Sequence, residues 1–483
     1  MASIGQNHPL LEQLKRIARL VKVLAVGILA IPGCGEPVSP VKQLTFWTFE
    51  VEPERLAVQQ QLAEQFDQQT GIQIKIVPIA EDELTQQVEN AMAIGRSSTI
   101  APAGQVENEP LPDVLFAPLE TIATLQAQQK LDTAANTTVI NTLGTETFAN
   151  GPLTLVAQAQ GEFAAVPADG WGQLLLYRQD LFAEKQLPEP SNWQAIAQAA
   201  QTLNNPSAMW GIQVPTDPTQ GYTQQVFEQF ALSNGCQLVN ISGNLDLNSP
   251  NCITTLEFYK QIAKDYTPPG NIYWLQTRQD LQAGTAAMVV WSPFILDELA
   301  GLRNEVPVTD LIPPLHKRIG IVTTLSGPDG APAQWGQVNY FAITTQGPEA
   351  GQPEAARPEA AQQWVQFLLS DGYLDWLSMA PEGKFPLRPE FVNDWKQLEI
   401  GVDSKAKIAD LYSPEVIDIL TFGVENFDRW GFAAGKGNCA AAIYNTQTVT
   451  QILHQYINDE IDTAEAAAQQ MQSAVMELGE CSG

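Results

Sequence analysis

The sequence predicts an α/β protein built on open, mainly parallel sheets flanked by helices. Two observations carry this. Strand-like and helix-like periodicities alternate from residue 44 onward, and glycine or proline marks many of the changes of period. The chain is 483 residues long, enough for two or three domains with cores of their own.

Residues 44–49 read as the first strand. Pro53 then opens a helix, at a position where its missing N–H is no loss. Val58, Leu62 and Phe66 recur at four-residue spacing on one face, and Gly71 ends the run. Ile72, Ile74 and Ile76 alternate as a half-buried strand should. Residues 81–95 form a second helix, with Leu84, Val88 and Met92 on one stripe. A polar loop covers 96–111, and 112–117 is a third strand. Two successive βα units argue for parallel strands with helices on both faces.

The middle continues the alternation. An apolar block runs from Phe163 to Arg178, and Asp180-Leu181-Phe182 and a proline turn at 187–190 follow. Ser191 is the expected cap of a helix holding Trp193, Ile196 and Ala199. Trp210-Gly211-Ile212 starts a strand, 227–232 is helical, and 253–266 is an amphipathic helix stopped by Pro268-Pro269-Gly270. Residues 286–291 are a continuous apolar run, as a buried strand would be. The segment 307–335 reads as irregular, 336–343 as a strand, 360–377 as one long helix and 449–476 as mostly helical.

Ahead of the first strand lies an export leader. Lys15, Arg16, Arg19 and Lys22 precede or enter the apolar stretch 20–31, which is too short to span a bilayer; that needs roughly 20 residues. Small Gly33 is followed by Cys34 and a Gly-Pro-Ser linker. This resembles a bacterial lipoprotein signal, although Pro32 departs from the pattern, and it implies lipidation at Cys34. Four further cysteines, Cys236, Cys252, Cys439 and Cys481, contain no CxxC. In an exported chain an even count suggests two bridges. Of three pairings, Cys236–Cys252 with Cys439–Cys481 closes the shortest loops, and a loop of about 15 residues is worth roughly 3 kcal/mol.

The formal net charge is −29, and no basic stripe is visible. Such a surface repels phosphate backbones, so nucleic acid is not an expected partner. Three scattered histidines offer no zinc site, and no metal or cofactor is expected. GxSxG, HExxH, Walker and GxGxxG motifs are absent, and no spacing singles out a pair of glycosidase carboxylates.

The order of segments resembles that of the family 1 extracellular solute-binding proteins, the carbohydrate-type receptors of ABC importers. The residues that carry it are Leu44-Thr45-Phe46-Trp47, Gly71-Ile72 with its alternating isoleucines, Pro112-Asp113-Val114, and the block 169–182. Further pieces are Trp210-Gly211-Ile212, Gly284-Thr285-Ala286-Ala287-Met288 leading to Trp291, the strand 338–343, the helix with Trp364, and Gly383-Lys384-Phe385-Pro386-Leu387-Arg388. The loop 96–111 and the two expected disulfides depart from the family pattern. The resemblance implies a type II periplasmic-binding fold, with two lobes joined by a hinge. The leader would be 1–33 and the linker 34–41. Lobe 1 would hold 42–165 and 336–385, and lobe 2 would hold 166–335 and 386–480.

The same resemblance implies a monomeric receptor that captures a carbohydrate between its lobes and hands it to the transmembrane subunits and ATPase of a permease. Sugar hydroxyls need fixed hydrogen-bonding groups, and sugar C–H faces stack on aromatic rings. The aromatic candidates are Trp47, Trp171, Trp291, Trp335, Tyr340 and Trp430; the polar ones are Glu50, Asp113, Asp169, Asn339 and Arg388. Trp193, Trp364 and Trp376 lie on helical stripes and read as core. The rival readings are a receptor for a sugar–polyol solute or a peptide, and a cell-envelope glycosidase.

Overall fold

The structure, a computed structural model, describes residues 41–94, 110–304, 308, 314–345 and 356–481. The leader, Cys34, most of the linker and nearly all of the loop 96–111 lie outside the described residues.

The first three strands are β1 (Gln43–Thr48), β2 (Gln73–Pro78) and β3 (Val114–Pro118). β1 runs parallel to both β2 and β3, as two βα units require. The helix Pro53–Thr70 connects β1 to β2. Gly71, at φ 75°, stops it in the left-handed conformation and donates its N–H to the Asp67 carbonyl. β4 (Val166–Gly172) and β5 (Leu174–Arg178) are separated by Gln173 alone. They are followed by β6 (Met288–Trp291), β7 (Ile319–Val322), β8 (Gln334–Ile343) and β9 (Phe385–Pro386). The pair β10 (Glu399–Ile400) and β11 (Ala406–Lys407) stands apart, and β12 (Phe427–Asp428) pairs parallel with β8.

Two sheets organise these strands. The larger has the order β2-β1-β3-β8-β4-β9, and the smaller has the order β6-β5-β7. The pairings are less uniformly parallel than the sequence suggests. β8 is antiparallel to β3 and β4, β4 is antiparallel to β9, and β5 is antiparallel to both neighbours. In the large sheet the chain leaves β4 for the small sheet and re-enters at β8 in the opposite direction, so β8 runs antiparallel to both of its long neighbours.

β4 and β8 bring the chain to the junction of the sheets. β4 steps into β5 at Gln173, whose N–H donates to the Trp335 carbonyl. Gly172 and Gly336 face each other in register there. A Cβ on Gly336 would come within 2.1 Å of the Phe427 ring, so glycine is what lets β12 lie on the crossing. The core of the large sheet is a continuous aromatic cluster, in which Trp376 meets Phe116 at 4.7 Å and Phe341 at 4.8 Å. Beside the small sheet, Trp193 stacks on Phe258 at 4.3 Å.

Several local expectations change. Asn192, not Ser191, caps the helix Trp193–Leu203, because its carboxamide reaches the Ala195 N–H. Residues 210–213 make only two isolated parallel bridges to 286 and 289. There Gly211 presses so close to the Ala200 carbonyl that a Cβ would lie 2.2 Å from its oxygen. The stretch read as irregular contains β7, whose Gly320 lets the Tyr177 ring cover the strand. The helix expected over 360–377 divides into Ala356–Leu368 and Tyr373–Leu377, with Gly372 packed under Leu62 at the break. Cys236 is bonded to Cys252 and Cys439 to Cys481.

Candidate functional site

The carboxyl end of β1, the middle of β4 and β8, and the residues before β9 converge on one buried charged cluster. Asp169 and Asn339 are register partners, so their side chains leave the sheet on one face, and Asn339 donates to Asp169 at 2.8 Å. Trp376 Nε1 donates to the other carboxylate oxygen at 2.8 Å. Lys384, fully buried, lies 3.1 Å from the same Asp169 oxygen and also pairs with Glu50. Its ammonium sits over the Phe116 and Trp376 rings at 4.8 and 5.0 Å. Arg55, in the first turn of the helix Pro53–Thr70, holds the second Glu50 oxygen at 2.6 Å. Burial alone would raise the Glu50 pKa, but Lys384 and Arg55 outweigh it and hold the carboxyl below its ordinary range.

Arg55 also reaches toward the small sheet. Its guanidinium lies 5.6 Å from the ring of Phe294, which follows β6. Phe294 seats against Gly383, where a Cβ would fall 2.3 Å from the ring. Its other neighbour is Trp171 at the end of β4, edge-on at 6.4 Å, and Trp171 packs on Trp335 at 5.5 Å. Trp335 in turn lies 4.4 Å under the Arg429 guanidinium. Arg429 pairs with Glu120, at the start of the helix Leu119–Ala127 beside the large sheet. It also lies 3.5 Å from Glu228, on the helix Gly221–Ser233, which packs against β8 and reaches β6 through Tyr222 at its start. Burial pushes the Glu228 carboxyl up, against the pull of Arg429.

The rest of this junction is aromatic and carboxylic. Trp291, at the end of β6, meets Tyr222 edge-on at 4.9 Å, and the Tyr222 hydroxyl donates to the Val290 carbonyl at 2.5 Å. Gln224, Tyr444 and Phe432 line a small pocket with Glu228, Arg429 and Trp430. Near Phe294, Arg303 pairs with Asp297 at 2.7 Å and approaches Glu382 to 3.8 Å. Burial pushes the Glu382 pKa up to about 8, and the Asp297 charge adds to that effect. A separate groove, between the helices Trp193–Leu203 and Pro250–Asp265 and residues 326–328, shares no residue with this junction.

The sequence candidates therefore divide. Glu50, Asp169 and Asn339 share the charged cluster. Trp171 and Trp335 form the aromatic stack, Trp291 stands with Tyr222, and Trp430 lies beside Arg429. Trp430 also donates its Nε1–H to the Cys236 carbonyl at 2.8 Å. Four candidates are not brought there. Asp113 sits at the amino end of β3, holding Arg357 at 2.7 and 2.5 Å and the Thr45 N–H at 2.8 Å. Tyr340 is fully buried and donates to the Pro152 carbonyl at 2.9 Å. Arg388 spends its donors on Thr147, Leu369 and Glu390. Trp47 is buried within the packed interior. Sequence reasoning missed Arg55, Phe294, Lys384, Arg429, Glu120 and Glu228. One signal was available: the chain has only 25 basic residues against 54 acidic ones, so a basic residue beside a strand end has unusual weight.

Comparison with known proteins decides the family. The family model described as bacterial extracellular solute-binding protein matches residues 52–374. The chain belongs to this family. A curated relative, "Putative ABC transporter periplasmic-binding protein YcjN" of Escherichia coli (strain K12), is 28% identical over 429 residues, covering 87% of this chain and 91% of the relative. Among solved structures, maltose-bound MalE3 of T. maritima superposes with a TM-score of 0.66 at 20% identity, over 90% of this chain and 99% of that one. The cyclic α-maltosyl-1,6-maltose binding protein of Arthrobacter globiformis gives a TM-score of 0.66 at 14% identity, over 92% and 100%. A sugar transporter from Arthrobacter chlorophenolicus A6 with bound laminaribiose gives 0.63 at 15%, over 91% and 99%. The fold of this solute-binding protein is thus the two-lobed kind, with sheets flanked by helices. Among the described residues no helix is long and apolar enough to cross a membrane.

Proposed function

We propose that this solute-binding protein captures a carbohydrate between its lobes and delivers it to an ABC permease, without turning it over. The observation that carries the reading is the junction itself. Phe294 and Trp291, from the end of the small sheet, and Trp171 and Trp335, from the large one, stand at the junction with fixed charged groups of the large-sheet side, Arg55 against Phe294 and Arg429 against Trp335. Apolar rings beside rigid hydrogen-bonding groups match the two surfaces of a sugar. Three of the superposed solved structures hold a sugar or are named for binding one, which supports the same ligand class.

In this reading lobe 1 comprises 42–165 and 336–385 and lobe 2 comprises 166–335 and 386–480, with β4 and β12 as the segments of lobe 2 that pair into the large sheet. A ligand touching both lobes favours the closed arrangement by its differential affinity for it. The receptor acts as a monomer on the outer side of the cytoplasmic membrane, tethered by a lipid on Cys34.

A thermal-shift panel of mono-, di- and oligosaccharides, sugar–polyol solutes, amino acids and peptides tests this. A ligand at about 100 times its Kd stabilises by about 2.7 kcal/mol. The expected result is a shift with one sugar class that Trp171→Ala abolishes, and no turnover of that sugar. A shift with a peptide or sugar–polyol solute alone would keep the fold and overturn the carbohydrate assignment.

A further inference from the structure

Among the few large apolar side chains of the described residues that face solvent, two are consecutive. Tyr273 is 37% exposed and Trp274 is 42% exposed, and their rings meet edge-on with centroids 6.5 Å apart. They open the helix Trp274–Ala283. That helix leads through residues 284–287 into β6, which ends at Trp291. A helix and the strand that follows it through a short turn run in opposite directions. The start of the helix therefore lies at the same end of the lobe as Trp291.

Side-chain contacts one turn further along agree. Residues four apart in a helix share a face. Four residues after Tyr273, the buried Thr277, whose hydroxyl donates to the Tyr273 carbonyl at 3.3 Å, lies against Tyr222, the ring that packs on Trp291. Four residues after Trp274, Arg278 pairs with Glu298 at 2.5 Å, on the short helix that follows Phe294. Tyr273 thus continues the Trp291–Tyr222 face, and Trp274 continues the face that bears Phe294. The local fold does not need the rings exposed. Thr277 and Leu281 supply the helix's buried contacts, and Gly284, at φ 71°, terminates it.

We propose that Tyr273 and Trp274 form an outer stacking subsite on the rim of lobe 2, for a sugar unit that projects beyond the part held between the lobes. The ligand class is then an oligosaccharide, not a single sugar. This rests on the carbohydrate reading above. An exposed aromatic pair needs no conformational change to receive the C–H face of a pyranose, and its rings carry little rotamer entropy to lose. Because the rings are exposed, removing them leaves the lobe's core intact.

Isothermal titration calorimetry on the purified protein tests it, with α-1,4- and β-1,3-linked glucose oligomers of two, four and six units. The wild type is compared with Tyr273→Ala/Trp274→Ala, after melting curves confirm that the variant folds as the wild type does. The wild type is expected to bind the longer oligomers of one series more tightly than its disaccharide. The variant is expected to lose about tenfold in affinity for the longer oligomers and none for the disaccharide. Equal losses at every length, or no loss at any, would overturn the outer subsite and leave the carbohydrate reading standing. Failure of every oligomer to bind the wild type would overturn both.

Discussion

Replacing Lys384 by Met is expected to destabilise the protein by about 3–5 kcal/mol, the usual cost of breaking a buried ion pair from one side. Lys384 is fully buried and holds Glu50 and Asp169 together. Methionine fills similar volume but leaves both carboxylates in a site ringed by Phe116 and Trp376. Arg55 still neutralises part of Glu50, and Asn339 and Trp376 still donate to Asp169. The remaining deficit is the missing positive charge together with the hydrogen bonds the ammonium gives to Asp169 and Glu50. Urea denaturation of the two proteins measures it, as a lower midpoint at unchanged slope. A loss under about 1 kcal/mol would mean that the cluster is open to water and does not organise the ends of β1, β4 and β9.

The second large effect is a pH dependence at Glu382. An acid whose folded pKa stands above its ordinary value binds its proton more tightly in the folded state. Its contribution to stability is complete below about 4.5 and is lost as the pH rises through about 8. The groups that face Glu382 are Asp297 and Arg303 from the segment after β6, Arg55 from the first helix of lobe 1, and Tyr412. Asp297 is also raised, by burial first, and Arg303 is shared between the two acids. Arg278 is engaged by Glu298. Glu382→Gln keeps a neutral hydrogen-bonding group and removes the proton. Between pH 5 and 8 the wild type should lose stability relative to this variant by about 1.4 kcal/mol per pH unit at most. Parallel stability–pH profiles would contradict a carboxyl buried against Asp297. Because Asp297 and Glu382 belong to different lobes in the proposed division, the same measurement reports on the closeness of the lobes.

Much of the fold was legible because it rests on local signals. The Val58–Leu62–Phe66 stripe, Gly71 and the alternating isoleucines each act within a few residues. The order of such pieces was enough to point to the family. Strand direction was less legible. The antiparallel β4–β8 pair joins residues about 170 apart, and nothing local marks it. β7 was missed because Ile319-Gly320-Ile321-Val322 is short, and the Tyr177 ring that makes its glycine useful lies far away in sequence. The same reason divides the candidate site. Trp171 and Asp169 could be singled out from a Gly-rich strand end. Lys384, Arg429 and Phe294 gain meaning only from partners on distant elements. Conversely, Tyr340 and Arg388 looked available, because their internal acceptors, the Pro152 and Leu369 carbonyls, leave no mark in the sequence.

The central claim is that a sugar is held at the junction of the two lobes. A crystal structure of the protein with the carbohydrate that gives the largest thermal shift tests it most directly. The account predicts the sugar between the lobes, with a ring face on Trp171, Phe294 or Trp291 and hydroxyls bonded to groups from both sheets. A sugar seated elsewhere, such as the groove beside Trp193 and Phe258, or bound to one lobe alone, would contradict it.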